Sequence, residues 1–507
     1  MTPADAYAEL VRRSKELGVL NSCGAVLGWD QQTYMPANGA GLRGEQMAFL
    51  AAHSHQKLTD PKVGELLATI EGSELVKDPD APEAANAREI RRGYDRATKL
   101  PRELVEEIAR VTTQAQQAWE KAKKANDFPG FRPWLEKVVA LKRREADAVG
   151  YKDHPYDALI DEYEPGTTVA ELKQLFAGLT AELAPLVKAI TQSSKQPDRG
   201  VLQREYPPDR QKVFAEAAAA AFGFDFAAGR LDTTAHPFCS GVGPGDCRIT
   251  TRYNPRFFSE AFFGVLHETG HALYEQNLPA GHFGTPLGAA CSYGIHESQS
   301  RLWENQVGRG RPFWEHFFPR LRQTFPAALA GVTLDQFYFA VNDVKPSLIR
   351  VEADEATYNL HVALRFELEL ALLSGNLTVA DLPGAWNDRF KALFGLDVPD
   401  DARGCLQDIQ WSFGGIGYFP TYTLGNLYAA QLMEAARKDC GGAESLTSDF
   451  RRGEFDRLRG WLAANVYKHG QRYRAGELCR RATGRTLTPG PFLSHLREKF
   501  GPLYGVC

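Results

Sequence analysis

The stretch Arg256–Gln276, RFFSEAFFGVLHETGHALYEQ, has the apolar spacing of a helix and contains His267-Glu268-Thr269-Gly270-His271. Four residues along an α-helix turn the chain by about 400°, so both imidazoles leave one face about one turn apart. That span lets two ligands grip one Zn2+ at about 2.0–2.1 Å each. Glu268 lies about 100° around the helix from His267, beside the metal and off its ligand positions. There it can take a proton from a water that the metal activates. H-E-x-x-H is therefore a mechanism expressed as a spacing. The competing reading is chance, since a chain with 12 His can place two of them four apart. Phe258, Ala261, Phe262, Val265, Leu266, Ala272 and Leu273 argue against it, because they bury the helix. Two buried imidazoles beside a buried glutamate are costly unless a metal satisfies them.

A catalytic zinc takes a third protein ligand. Glu275 is too far, about 12 Å along the helix axis from His267. Tyr274 and Asn277 stand where a metzincin has Gly and His, so that class is excluded. After a Gly/Pro-rich loop, Pro279 to Gly294, a second helical segment opens with His296-Glu297-Ser298-Gln299. Glu297 has enough chain behind it to return beside the first helix. Its alternative is a first-turn carboxylate favoured by the helix dipole. His296 is a rival ligand or a transition-state donor.

Seven motifs follow one another in order: His236-Pro237-Phe238, Asp246-x-Arg248-x-Thr250, HETGH at 267–271, HESQ at 296–299, Ile349-Arg350-Val351-Glu352-Ala353-Asp354-Glu355, Gly404-Cys405-Leu406-Gln407-Asp408-Ile409-Gln410-Trp411 and Gly417-Tyr418-Phe419-Pro420-Thr421-Tyr422. Together they resemble the carboxypeptidase Taq family of zinc metallopeptidases, of the H-E-x-x-H plus Glu (gluzincin) type. Trp29-Asp30-Gln31-Gln32-Thr33-Tyr34-Met35-Pro36 is similar to that family's N-terminal region, so the likeness covers nearly the whole chain. The resemblance implies Glu297 as third ligand, removal of single amino acids from peptide C-termini, a mostly helical fold with a deep groove, and a homodimer. One position departs: the family's G-x-x-Q-D-x-H-W has His where this chain has Gln410. A neutral amide hydrogen-bonds but carries no proton at neutral pH.

The rest of the chain agrees with a large helical enzyme. Its 507 residues can bury a substantial core, and a net charge of −4 gives no electrostatic case for nucleic acid or an anionic membrane. No apolar run reaches the ~18 residues of a membrane span, and Met1 to Leu20 lacks a signal-peptide core. The eight Cys form no C-x-x-C, which predicts free thiols in a reducing cytoplasm. Pro101 precedes a long amphipathic run. Thr168-Val169-Ala170-Glu171 is a capping box, and Pro185 predicts a kink or break. Arg248 to Tyr253 reads as a strand with a partner at Ser347 to Val351. The predicted fold is mostly α: a two-lobed helical body with a deep substrate groove and a small sheet beside the metal. Residues 1–195 are read as lid and groove wall, and 196–507 as the catalytic region.

Substrate recognition needs a fork for a free carboxylate, and Arg350 is the first choice, with a salt bridge to Asp354 or Glu355 as its alternative. Arg248 is the runner-up, with pairing to Asp246 as its alternative. Arg248-Ile249-Thr250 is the candidate edge strand for pairing with an extended peptide. His236 is assigned to the substrate or the groove, Tyr422 or Tyr418 to the oxyanion, and Gln410 to the groove. Glu275, Asp354 and Glu355 are candidate acceptors for the ligand imidazoles. The expected activity is a Zn2+-dependent metallocarboxypeptidase, with Co2+ as a substitute metal and peptides with a free C-terminus as partners. The alternatives are an endopeptidase or dipeptide-releasing enzyme, and a metal-bound peptide-binding protein with little catalysis.

Overall fold

The computed structural model describes residues 1–506. Helices dominate, beginning with a 31-residue helix, Pro3–Thr33, whose Thr2 and Asp5 form a capping box. The predicted capping box at Thr168 and Glu171 opens the helix Val169–Thr191, and that helix runs on through Pro185 without a break.

The chain divides into two compact units with interleaved segments. The first comprises Met1–Thr98, Pro197–Val341 and Tyr428–Leu487; the second comprises Lys99–Gln196, Asn342–Leu427 and Thr488–Cys507. One of the five changes of unit falls between Gln196 and Pro197, and Met1–Thr98 shares a unit with the HETGH helix.

In the first unit, Ala6, Leu10, Val63, Leu66, Leu67, Ile70 and Ala87 pack as one apolar cluster that fastens the helices Pro3–Thr33, Pro61–Ile70 and Pro82–Lys99 together. The HETGH helix spans Phe258–Gln276. Its Phe258 and Phe262 enter an aromatic core with Phe214, Trp314 and Phe337. The helix is thereby held from its N-terminal half, and its second half carries the histidines.

A three-stranded sheet lies beside this helix: β1 (Gly229–Thr233), β2 (Cys239–Gly243) and β3 (Asp246–Thr251), in the order β1-β3-β2. β3 pairs parallel with β1 and antiparallel with β2. Arg248-Ile249-Thr250 is therefore central, and the expectation that it forms an exposed edge is overturned: both of its edges are already hydrogen-bonded. The predicted partner strand at Ser347 to Val351 is also absent. Its C-terminal part is a 3-10 turn, Arg350–Glu352, and the sheet finds its partners within 229–251. Local alternation alone identifies a strand but not its neighbour.

In the second unit the helices Arg102–Ala125 and Phe128–Val149 pack as a pair, and Tyr358–Ser374 is buried along nearly its whole length. Asp354 accepts from the backbone N–H groups of Ala356 and Thr357 ahead of that helix.

Candidate metal centre

Two helices build the centre. The second, Tyr293–Arg301, is capped by Ser292 and continues as a π-helix over Leu302–Gly308. It crosses the HETGH helix at Gly270. A Cβ there would stand 2.5 Å from the Gln299 carbonyl oxygen and 2.6 Å from the Ser300 Cα. Glycine at 270 is what lets the backbones meet and bring Glu297 to the histidines.

His267, His271 and Glu297 offer ligand atoms that all lie within 4.8 Å of one another. Nε2 of His267 is 3.6 Å, and Nε2 of His271 3.4 Å, from the same Glu297 oxygen. Ligands about 2.0–2.1 Å from one tetrahedral ion are separated by about 3.3 Å, so the spacing fits a single cation. Two imidazoles and a carboxylate are also the donor types that suit zinc and neighbouring divalent metals.

The remaining nitrogens of both rings are engaged. Nδ1 of His267 donates to Glu304, 3.0 Å away. Nδ1 of His271 is 2.5 Å from Nδ1 of His296, whose Nε2 in turn is 2.8 Å from Glu275. Glu275 accepts only, so His296 donates from Nε2 and accepts at Nδ1. That ordering puts the His271 proton on Nδ1 and leaves its Nε2 lone pair toward the trio. Both histidines thus present Nε2 in the tautomer a metal requires.

Two arginines support the carboxylates. Arg301 Nε donates to Glu297 at 2.7 Å, and Arg309 reaches Glu304 at 3.1 Å. Burial alone would raise the Glu297 carboxyl, but Arg301 and the two histidines outweigh it and hold it well below its usual range. The same balance, with the His267 hydrogen bond and Arg309 opposing burial, takes Glu304 down to about 2. Burial takes His271 down to about 4, keeping it neutral. Glu268 goes the other way. Burial, reinforced by the charge of Glu297, pushes it up to about 7. A carboxyl poised there can both accept and return a proton near neutrality.

His296 is therefore a link between Glu275 and His271 rather than a member of the trio. Glu275 acts through that link, and Glu355 is paired with His495 and Lys499 in the other unit. Reading the sequence did not single out Glu304, Arg301 or Arg309. A signal existed for Glu304: it follows Glu297 by seven residues, two helical turns, and so returns to the same face. His236 is exposed in the loop between β1 and β2. Arg248 commits its fork to Asp246, with two 2.7 Å hydrogen bonds, and its guanidinium carbon lies 4.3 Å from the centre of the Trp29 ring. A cavity of about 630 Å3 lies in the same unit, bounded by Leu17, Asn21, Gly241, Glu275 and Phe283 among others.

The second unit holds a separate polar cluster. Arg350, 5 % exposed, donates from Nε to Asp408 and from Nη1 to the Tyr358 hydroxyl, at 2.9 and 2.8 Å. Arg365 donates to the other Asp408 oxygen at 2.6 Å. Arg350 thus pairs with Asp408, not with Asp354 or Glu355. Two buried guanidiniums share one carboxylate. The Gln410 amide donates to the Tyr422 hydroxyl at 3.3 Å. Tyr418 packs its ring between Tyr163 and Tyr422.

A mostly helical fold in which H-E-x-x-H meets a glutamate from a second helix defines a metallopeptidase. The chain belongs to the carboxypeptidase Taq (M32) metallopeptidase family, whose model matches residues 9–500, and is a metallocarboxypeptidase. It is 48% identical to thermostable carboxypeptidase 1 of Thermus thermophilus over 100% of both chains. Carboxypeptidase 1 of Bacillus subtilis is 38% identical over 95% of each. The crystal structure of an M32 carboxypeptidase from Deinococcus radiodurans R1 matches with a TM-score of 0.95 at 44% identity, covering 99% of this chain and 100% of that one.

Proposed function

We propose that the chain releases single amino acids from peptides with a free C-terminus, using Zn2+ held by His267, His271 and Glu297, with Glu268 as general base. The observation that carries this reading is the pre-set pair of Nε2 atoms facing one Glu297 oxygen, with Glu268 beside them in the sequence. Zn2+ supplies Lewis acidity and brings the pKa of water down to about 7; Co2+ offers the same chemistry. Glu268 accepts the proton as water attacks the scissile carbonyl, then passes it to the departing amine. Tyr422 donates to the developing oxyanion. The Gln410 amide fills an acceptor position on the Tyr422 oxygen and so aims its O–H. Gln410 in this reading keeps the site active. Tyr418 shapes the aromatic surround, and His236 contacts the substrate chain.

Arg350 is the anchor for the substrate carboxylate. Arg350 and Arg365 set two positive charges against the single charge of Asp408, and that surplus suits an incoming anion. Arg248 pairs one-to-one with Asp246, which leaves no surplus of positive charge in that pair, and is the weaker candidate. The N-terminal helices act as groove wall, a role that the cavity beside the helix Pro3–Thr33 supports. The family likeness supports a homodimer. No described helix is long and apolar enough to cross a membrane. The cysteine pattern, with no C-x-x-C, is the support for reading the enzyme as cytoplasmic.

The test is release of free amino acids from one short peptide with a free or an amidated C-terminus, with and without a chelator. Chelator-sensitive release of one residue at a time from the free acid alone is expected. Cleavage of the amide would remove Arg350 as anchor and favour an endopeptidase. Bound zinc with no cleavage of either peptide would favour a peptide-binding protein.

A further inference from the structure

Cys239 and Cys247 have no part in the proposed hydrolysis, yet their sulfurs are 3.6 Å apart. Cys239 pairs in register with Ile249, and Gly241 with Cys247, so the two thiols sit diagonally on one face of neighbouring antiparallel strands. The same face carries Gly241, where an added Cβ would stand 2.3 Å from the Glu275 carboxylate. The thiols therefore lie on the side of the sheet turned toward the HETGH helix. Their exposure differs: Cys247 is 2% exposed, whereas Cys239 is only partly covered.

We propose that Cys239 and Cys247 are a redox-modification site, closed to a disulfide between β2 and β3 by hydroperoxides. Cys239, the less buried of the two, has its thiol pKa held up by the hydrogen bond with Cys247 and by burial, so it attacks the peroxide slowly, through the small fraction that is thiolate. The O–O bond breaks, the alcohol or water departs with a proton, and Cys239 becomes a sulfenic acid. The Cys247 sulfur then attacks the Cys239 sulfur. The S–O bond breaks, and the hydroxide leaves as water with the Cys247 proton. Two thiols lose two electrons in all, and one peroxide gains them.

Bond formation at about 2.0 Å needs the sulfurs to approach by roughly 1.5 Å, and a diagonal pair needs some backbone movement as well. β2 is built to give it. It is an outer strand of the sheet, it contains Gly241 and Gly243, and its register against β3 is already irregular between them. Pro244-Gly245 links it to β3, with Gly245 at φ +81°. A glycine-rich outer strand slides at lower cost than β3, which is bonded on both sides.

The full-length metal-loaded enzyme is treated with hydrogen peroxide, its remaining thiols are alkylated under denaturing conditions, and unreduced peptides are mapped by mass. A tryptic peptide carrying both Cys239 and Cys247, unalkylated, lighter by two hydrogens than its reduced form and returned to that mass by dithiothreitol, is expected. The other described cysteines should remain alkylated. C247S should stop at a sulfenic acid on Cys239, trapped by dimedone, and C239S should give neither product. Full alkylation of both cysteines after peroxide, or a sulfinic acid on Cys239 beside an alkylated Cys247, would overturn the proposal. The readout is a covalent bond, so it stands or falls independently of the zinc assignment.

Discussion

His267→Ala removes an imidazole whose Nε2 faces Glu297 and whose Nδ1 is held by Glu304. The variant should lose its metal, and elemental analysis at one metal per wild-type chain checks it; a variant that still holds one metal excludes His267 as a ligand. Glu268→Gln should behave in the opposite way. It keeps the metal, because Glu268 is outside the trio, and its kcat falls by roughly 10²–10⁴-fold, the range of a lost general base. Near-normal turnover in that variant would end the assignment. Glu304→Gln tests the support of His267. Metal affinity should fall about 10–100-fold in a competition titration, with His271 and Glu297 untouched. Sequence alone carried HETGH to a metal and a base because the spacing contains the geometry. Sequence did not show that Asp408 pairs with Arg350, since the two lie on distant segments. Nor did it show that His296 spends both nitrogens on His271 and Glu275, because only the folded helices bring the two rings and the carboxylate together.

Helix boundaries were legible from caps and periodicity. Thr168 and Glu171 cap as expected, and the HETGH helix begins within two residues of its predicted start. Pro185 reads as a kink or break, and the break does not occur: the helix Val169–Thr191 runs through it, with Leu183, Leu186 and Val187 buried around it. Tertiary packing there exceeds the local cost of a proline. The sheet shows the opposite limit. Arg248 to Thr250 was recognisable as strand, but its central place depends on β1 and β2 flanking it, which no alternation within one segment records. The crossing of the two site helices yields a direct test. Gly270→Ala places a methyl against the Gln299 carbonyl and Ser300 backbone, so the helices must part. Overpacking of this kind costs about 1–3 kcal/mol. A lower midpoint in thermal unfolding together with weaker metal binding is expected; unchanged values for both would refute the close crossing.

Across the whole molecule, pH acts on buried carboxyls outside the metal trio as well. Glu369 is fully buried and accepts from the Tyr156 hydroxyl, Trp411 Nε1 and the Gly417 N–H. Burial dominates these hydrogen bonds and raises its pKa from 4.5 to about 7. A raised carboxyl favours its neutral form when folded. Its contribution is therefore fully present below about pH 4.5 and is lost as pH rises through about 7. Wild type should lose on the order of 3 kcal/mol relative to Glu369→Gln across that window, measured by urea unfolding at several pH values. A gap between the two proteins that stays constant with pH would show that Glu369 is charged throughout. The sequence by itself determined the helical class, the H-E-x-x-H half of the metal site and the family, because each is written in residues close along the chain or in an ordered set of motifs. The tertiary structure alone decided which segments share a unit. It alone decided the strand order, the Glu304 and His296–Glu275 supports of the two histidines, and the meeting of Cys239 with Cys247. Those depend on contacts between residues remote in sequence, where burial and backbone approach, not local propensity, select the partner.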